Sequence, residues 1–221
     1  MRYHACIMYR LRPIRYRSEK QRRQDKWVVE RVFKGKTGGY FLDIGAADGL
    51  SSSNTWVLEK HFGWTGICVE PQNAFFEELA AVRSCRCVKA CLSAAPEVVA
   101  FRNSSWYGGI VKYLETQPVH KRSMWEAGEI VELQTITIGE LLQDYGAPRI
   151  IDYASIDVEG SESAILSVFP FARYTIRALS VETSDSVLED LLVSKGYRPV
   201  ENPFCRAEEE LFFLHESFQP G

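Results

Sequence analysis

No stretch of this 221-residue chain approaches the roughly 18 consecutive apolar residues that a membrane-crossing helix needs, so no span is expected. Its first residues, MRYHACIMYRLRPIRYR, are basic but hold no apolar stretch, because Arg interrupts every few positions, and a secretory signal is not expected either. The six cysteines, at 6, 68, 85, 87, 91 and 205, lack the spacing of a disulfide framework. Free thiols in a reducing, cytoplasmic setting are the expectation. Histidine is scarce, at four residues, while 15 Gly, 9 Pro, 46% hydrophobic and 25% charged residues are ordinary values that exclude collagen-like, low-complexity and wholly disordered chains. At this length a single domain with its own core is the default.

The net charge of −3 hides an asymmetry. Residues 1–26 carry nine Lys/Arg against Glu19 and Asp25, a local +7, and the remainder carries 17 basic and 27 acidic residues, or −10. A basic arm over residues 1–24 is therefore expected ahead of an acidic domain over 25–221. Such an arm can meet phosphate, nucleic acid or a membrane surface, or simply be a solvated terminus. Without interleaved stacking motifs nucleic acid is not the expected partner.

Beyond the arm, apolar strands and amphipathic helices alternate. DKWVVERVF (25–33) has helical spacing, YFLDIG (40–45) reads as a buried strand, and SSSNTWVLEKHF (51–62) as a helix. GICVE (66–70), NAFFEELAAVR (73–83) and RCVKACLS (86–93) repeat the strand, helix, strand order. VVAFRN (98–103) and EIVELQTITI (129–138) read as strands flanking an irregular segment, 103–128. IIDYASIDV (150–158), a helix from 161 to 169, TIRALSVET (175–183), a helix over 186–197 and EELFFLH (209–215) complete the chain. This pattern predicts one α/β domain around a mostly parallel sheet with right-handed crossovers.

FLDIGAADG (41–49) is the strongest local signal, a strand running through a Gly-containing turn toward a helix. Glycine permits close backbone approach and a helix start offers free N–H groups. The spacing Gly45-x-x-x-Gly49 is neither the dinucleotide pattern nor a phosphate-cradling loop. Asp43 ends the buried strand, and a buried carboxylate needs a positive or hydrogen-bonding partner. The ammonium of S-adenosylmethionine (SAM) is such a partner, whereas a pyrophosphate would be repelled. Glu70, ending the next strand, is placed to accept from ribose hydroxyls. The structural alternatives are a turn cap for Asp43 and a solvated strand end for Glu70.

In order along the chain, GYFLDIGAADG, SSNTWVLEKHFGWTGICVEP, TITIGELL and IDYASIDVEGSE resemble the FkbM-type SAM-dependent methyltransferases, from about Gln21 to His215. The resemblance implies a Rossmann-like, seven-stranded class I methyltransferase sheet with an antiparallel last hairpin, SAM as donor, and methyl transfer to an oxygen of a sugar or natural product. One departure is KQRRQD (20–25), where related sequences often carry Ser-Gln-x-Gly-Gln-Asp: Arg23 stands at the Gly. The candidate cofactor residues are Asp43, Gly45, Ala46, Asp48, Gly49, Asn54, Glu70, Pro71, Ser93 and Asp157.

Ligands of such sheets bind at the carboxyl ends of the strands. Asp157 and Glu159 end one predicted strand and Glu182 the next, with Thr183, Ser184 and Asp185 following. One of the three can act as a general base, or Asp157 with Glu182 can hold Mg²⁺ to acidify a hydroxylated small-molecule acceptor. Glu162 reads as a helix cap. The segment 103–128 reads as a substrate lid, with Trp106, Tyr107 and His120 as candidate acceptor contacts and Gly108-Gly109 as a hinge. Cys85-x-Cys87-x₃-Cys91 lacks a fourth ligand and reads as free thiols. Two other functions remain open on sequence: a SAM- or nucleotide-binding module without catalysis, and an N-methyltransferase, whose amine acceptor needs no strong base.

Overall fold

The computed structural model describes residues 14–20, 22–117, 119–183, 185–207 and 209–220. Most of the expected basic arm, with His4 and Cys6, and the single positions Gln21, Pro118 and Ser184 lie outside the described residues.

The strands, in chain order, are β1 (Tyr40–Ile44), β2 (Thr65–Val69), β3 (Arg86–Val88), β4 (Cys91–Leu92), β5 (Val98–Asn103), β6 (Gly109–Ile110), β7 (Glu129–Ile136), β8 (Ile150–Ile156), β9 (Thr175–Glu182), β10 (Tyr197–Pro199) and β11 (Glu210–His215). The α-helices are α1 (Gln24–Trp27), α2 (Trp56–Phe62), α3 (Asn73–Val82), α4 (Val111–Leu114), α5 (Arg122–Trp125), α6 (Ile138–Asp144), α7 (Glu162–Ser167) and α8 (Ser186–Ser194).

Seven strands form the main sheet in the order β10-β11-β9-β8-β1-β2-β3. All pair in parallel except β11, which runs antiparallel to both neighbours. This is the doubly wound α/β sheet that the sequence predicts, with the antiparallel last hairpin that the family resemblance implies. Central strands are apolar throughout because both faces are covered. One face packs Leu42, Ile44 and Ile156 beneath Leu141 of α6, Ile165 of α7 and Leu192 of α8. On the other, Phe41 and Tyr153 meet Trp27, Val57 of α2 and Leu79 of α3.

The chain leaves β1 toward β2 and β3 and returns to β8 on the opposite side. The crevice between β1 and β8, at the carboxyl ends, is therefore the switch point where such sheets take ligands.

Two segments differ from the sequence reading. Residues 86–93, expected as one strand, divide at Lys89-Ala90: β3 stays in the main sheet and β4 pairs with β7 in a second sheet, ordered β4-β7-β5-β6. This small sheet buries Cys91, Val99, Phe101 and Ile110 on one face and exposes Val98 and Ala100 on the other, the period-two pattern of a half-covered sheet. Segment 103–128 is a closed excursion rather than a loose insert. Its ends are held by the Asn103↔Glu129 pairing, and it contains β6, α4, α5 and two short 3₁₀ turns.

Ser18, Arg22, Arg23 and Gln24, read from sequence as the end of the arm, pack against the domain. Ser18 bridges to Ser52, and Asn202 Nδ2 donates to the Arg22 carbonyl at 2.9 Å. Asp25, buried, accepts from the backbone N–H groups of Arg17, Ser18 and Lys26.

Candidate functional site

A cavity of about 530 Å³ opens at the switch point. Gly45 begins its floor. The N–H groups of Gly45 and Ala46 both donate to the Val69 carbonyl at 3.0 Å, folding the end of β1 over the end of β2. Gly45 adopts φ +87°, and a Cβ there would lie 1.8 Å from the Asp157 carbonyl oxygen. What this glycine admits is thus the neighbouring strand end. Gly45→Ala combines a disfavoured backbone with a backbone clash, worth on the order of 3 kcal/mol. We expect it to lower the melting temperature by about 6–12 °C; thermal denaturation showing no change would refute the close approach.

Glu70, buried at the end of β2, accepts from the Ala47 N–H at 3.1 Å through Oε2 and from the Gln72 N–H at 2.8 Å through Oε1. Burial raises its pKa to about 7, against the pull of those N–H donors. Asp43 accepts from the Thr55 hydroxyl at 2.5 Å. Its positive partner belongs to the chain: Arg83, fully buried, donates to Thr55 Oγ1 at 2.9 Å and to Glu59 Oε2 at 2.6 Å. Burial raises the Asp43 pKa, and Arg83 and Thr55 oppose it.

The other wall carries the charge. The Arg22 guanidinium donates through both terminal nitrogens to the two oxygens of Glu182. Its Nη1 also lies 3.4 Å from Asp157 Oδ2 and 3.8 Å from Glu210 Oε2. This fork-to-fork pairing holds the Glu182 pKa below its ordinary value although burial acts the other way. Asp157 moves in the opposite direction, raised well above the usual range by its sunken position and by the adjacent Glu182 charge. Glu159 rises to about 8, first through burial, then through Glu182 and Glu162. It sits at φ +58°, followed by Gly160 at φ +111°, a strained turn of the kind that accompanies functional sites. Glu162 accepts from the N–H groups of Val158 and Gly160, both at 3.1 Å, and so fixes this turn.

Of the residues expected to hold cofactor, Asp43, Gly45, Ala46, Asn54, Glu70, Pro71 and Asp157 line the cavity, as do Glu159, Glu182, Trp106 and Tyr107. Four candidates do not. Asp48 closes its own turn, accepting from Leu50 and Ser51 N–H at 2.8 and 2.7 Å. Gly49 faces away, and a Cβ there would meet Leu79 and Arg83. Ser93 is buried beneath the wall, its N–H spent on the Ile136 carbonyl. His120 is exposed on the turn Val119–Lys121, and it is Lys121 and Met124 of that segment that reach the cavity.

The Mg²⁺ expectation draws no support. Among the described residues no group of three or more His, Cys, Asp or Glu is disposed to hold a metal. The positive charge between Asp157 and Glu182 is Arg22, which sequence reasoning missed because its partners lie 135 and 160 residues away. Gln24 and Lys121 were missed for the same reason. The thiols of Cys68, Cys85, Cys87, Cys91 and Cys205 are free.

The residues present suit SAM in one specific way. Asn54 Oδ1 and Gln24 Oε1 are buried acceptors with no partner among the described residues, and both residues line the cavity. An unpaired buried acceptor costs free energy until a donor arrives, and SAM brings an ammonium and ribose hydroxyls.

No helix among the described residues is long and apolar enough to cross a membrane. No curated protein matches the chain significantly. Among solved structures, the chain is similar to a Methanococcus jannaschii fibrillarin pre-rRNA processing protein, 12% identical, covering 84% of this chain and 70% of that one, with TM-score 0.44. It is also similar to a methyltransferase from Pyrococcus furiosus, 14% identical, covering 86% and 79%, TM-score 0.41. A third is the hMettl16 catalytic domain in complex with MAT2A 3′UTR hairpin 6, 13% identical, covering 92% and 76%, TM-score 0.41. The expectation that nucleic acid is not a partner draws no support from these likenesses. The family model described as Methyltransferase FkbM domain matches residues 43–199, spanning both the Gly45 turn and the strand ends that carry Asp157 and Glu182. With most of its length covered by that match and its strands wound in the sheet such enzymes share, the chain belongs to the FkbM family of SAM-dependent methyltransferases.

Proposed function

We propose that the chain methylates a hydroxyl of a small hydroxylated acceptor, a sugar or natural-product molecule, and that Glu159 removes the hydroxyl proton. The observation that carries this reading is the splitting of the wall carboxylates: Glu182 held ionised by Arg22, Asp157 and Glu159 raised. Divergent pKa values in one cavity are the arrangement that separates a fixed charge from a proton acceptor.

SAM, when bound, supplies a methyl group activated by a sulfonium centre. Glu70 and Pro71 would hold its ribose side, and Asn54 Oδ1 and Gln24 Oε1 its hydrogen-bond donors. Asp43, balanced by Arg83, adds negative potential beneath the ammonium. The paired Asp157, Arg22 and Glu182 form a rigid charged wall that orients the acceptor. Glu159 makes no ion pair among the described residues and is the carboxylate left to take up a proton. Trp106 and Tyr107, with Lys121, would form the acceptor side of the cavity, which makes segment 103–128 the substrate lid. Free thiols suit a reducing, cytoplasmic setting.

An amine acceptor would leave a raised carboxylate without work, and a non-catalytic binding module would leave the whole split wall without it. Calorimetric titration with SAM and S-adenosylhomocysteine, beside NAD⁺, tests the cofactor site. Both adenosyl ligands should bind, and Asn54→Ala and Glu70→Gln should each weaken them about tenfold. Binding of NAD⁺ alone would overturn the reading. A methyl-acceptor screen with sugars, amines and RNA then tests the substrate class, and transfer confined to amines or RNA would overturn the hydroxyl assignment.

A further inference from the structure

The turn that walls the cavity has a second face. Arg22 and Gln24 point their groups into the cavity, whereas Lys20, Arg23 and Lys26 line a shallow groove behind it, closed on the far side by Phe204 and Arg206. No described carboxylate lines this groove. Lys26 Nζ lies 4.1 Å from the Phe204 ring centroid and the Arg31 guanidinium 5.4 Å from it. The ring thus has two cations against it. Among the described residues, Lys20, Arg23, Lys26, Arg31 and Arg206 form no ion pair.

Arg23 adds a second, independent sign. Its backbone sits at φ 54°, ψ 39°, in the left-handed region that disfavours any residue with a side chain. Asn202 clamps the turn there, donating to the carbonyls of both Arg22 and Arg23. Glycine would relieve the backbone at this position. Here a guanidinium occupies it, in a groove already crowded with like charge. A groove lined by Lys20, Arg23, Lys26 and Arg206 with no described carboxylate concentrates positive charge, and an anion is the ligand that such a lining suits.

We propose that this groove binds a diphosphate group carried by the methyl acceptor. The proposal rests on the small-acceptor reading above and deepens it. Arg22 and Arg23 are consecutive, so a ligand straddling the turn can place its phosphates on the groove and its hydroxyl in the cavity. Several fixed cations in one short groove match the charge of a diphosphate, and guanidinium groups recognise phosphate oxygens in pairs. A nucleic-acid backbone is the poorer fit, because the Phe204 ring on which a base would stack is covered by Lys26 and Arg31.

The test is calorimetric titration of the full chain with inorganic pyrophosphate, alongside S-adenosylhomocysteine and an oligothymidylate. Pyrophosphate should bind one to one. Arg23→Gly should weaken it about fivefold while raising the melting temperature, and adding Arg206→Gln should bring the loss to about twentyfold. S-adenosylhomocysteine affinity should stay within about twofold throughout. Absence of pyrophosphate binding, or Arg23→Gly that stabilises the fold without weakening pyrophosphate, would overturn the proposal. So would an oligothymidylate that displaces pyrophosphate with a steep salt dependence, which would assign the groove to a polymer backbone. Failure of S-adenosylhomocysteine to bind would strike the cofactor-site reading instead, and the pyrophosphate result would stand apart from it.

Discussion

Glu159→Gln is expected to lower turnover by about 10²- to 10⁴-fold while leaving SAM affinity nearly unchanged. Gln keeps the size and the hydrogen-bonding oxygen of Glu159 but accepts no proton, so the loss isolates base catalysis from packing. The wild-type enzyme should also show a pH limb that the variant lacks. Burial and the nearby Glu182 and Glu162 charges raise the Glu159 pKa to about 8. A base works only in its ionised form, so activity should rise with pH and level off above that value. The positive sulfonium of bound cofactor favours the ionised carboxylate, and the limb measured in kcat should therefore lie below the limb measured for the free enzyme. Full activity in Glu159→Gln, with the limb intact, would transfer the role to Asp157.

The largest expected effect on stability comes from Arg83→Met. The guanidinium is wholly buried and binds Glu59 at 2.6 Å, Thr55 at 2.9 Å, and Gly49 O and Ser53 Oγ each at 3.3 Å. Removing one partner of a buried pair leaves the other charge stranded, a loss of about 3–5 kcal/mol. For a chain of this size that corresponds to a fall of roughly 6–20 °C in melting temperature. The pH dependence carries a signature. Against burial, Lys60, Arg83 and the Ser84 N–H hold the Glu59 pKa at about 2, below its unfolded value near 4.5. The folded state thus binds fewer protons, and the associated stability is present above pH 4.5 and lost as pH falls toward 2. The gap between wild type and variant should narrow over that window. A gap independent of pH would mean that Arg83 acts by filling space.

Much of the fold was legible because the local signals agreed with the tertiary arrangement. YFLDIG and IIDYASIDV are apolar throughout since both of their faces are covered, and both became central parallel strands. RCVKACLS misled because Lys89-Ala90 interrupts nothing in the apolar pattern, yet β3 and β4 belong to different sheets. At the site, strand-end carboxylates could be read from position alone: Asp157, Glu159, Glu182 and Glu70 all border the cavity. Arg22 could not, since its meaning lies in a contact across 160 residues. Gly49 and Asp48 look like ligand contacts in the linear motif, but each serves the turn or the packing beneath it. His120 is exposed, and its neighbour Lys121 is the residue of that turn that borders the cavity.

The raised carboxyls around the cavity turn it into a reservoir of hydrogen ions. Glu70 titrates at about 7 and Glu159 at about 8, so near neutrality both are partly protonated. A cation that settles among them favours the ionised forms and must displace protons to the solvent. Cofactor affinity should then increase by about tenfold per pH unit for each proton released. The heat of binding should vary with the ionisation enthalpy of the buffer, a dependence that reports the number of protons the site gives up.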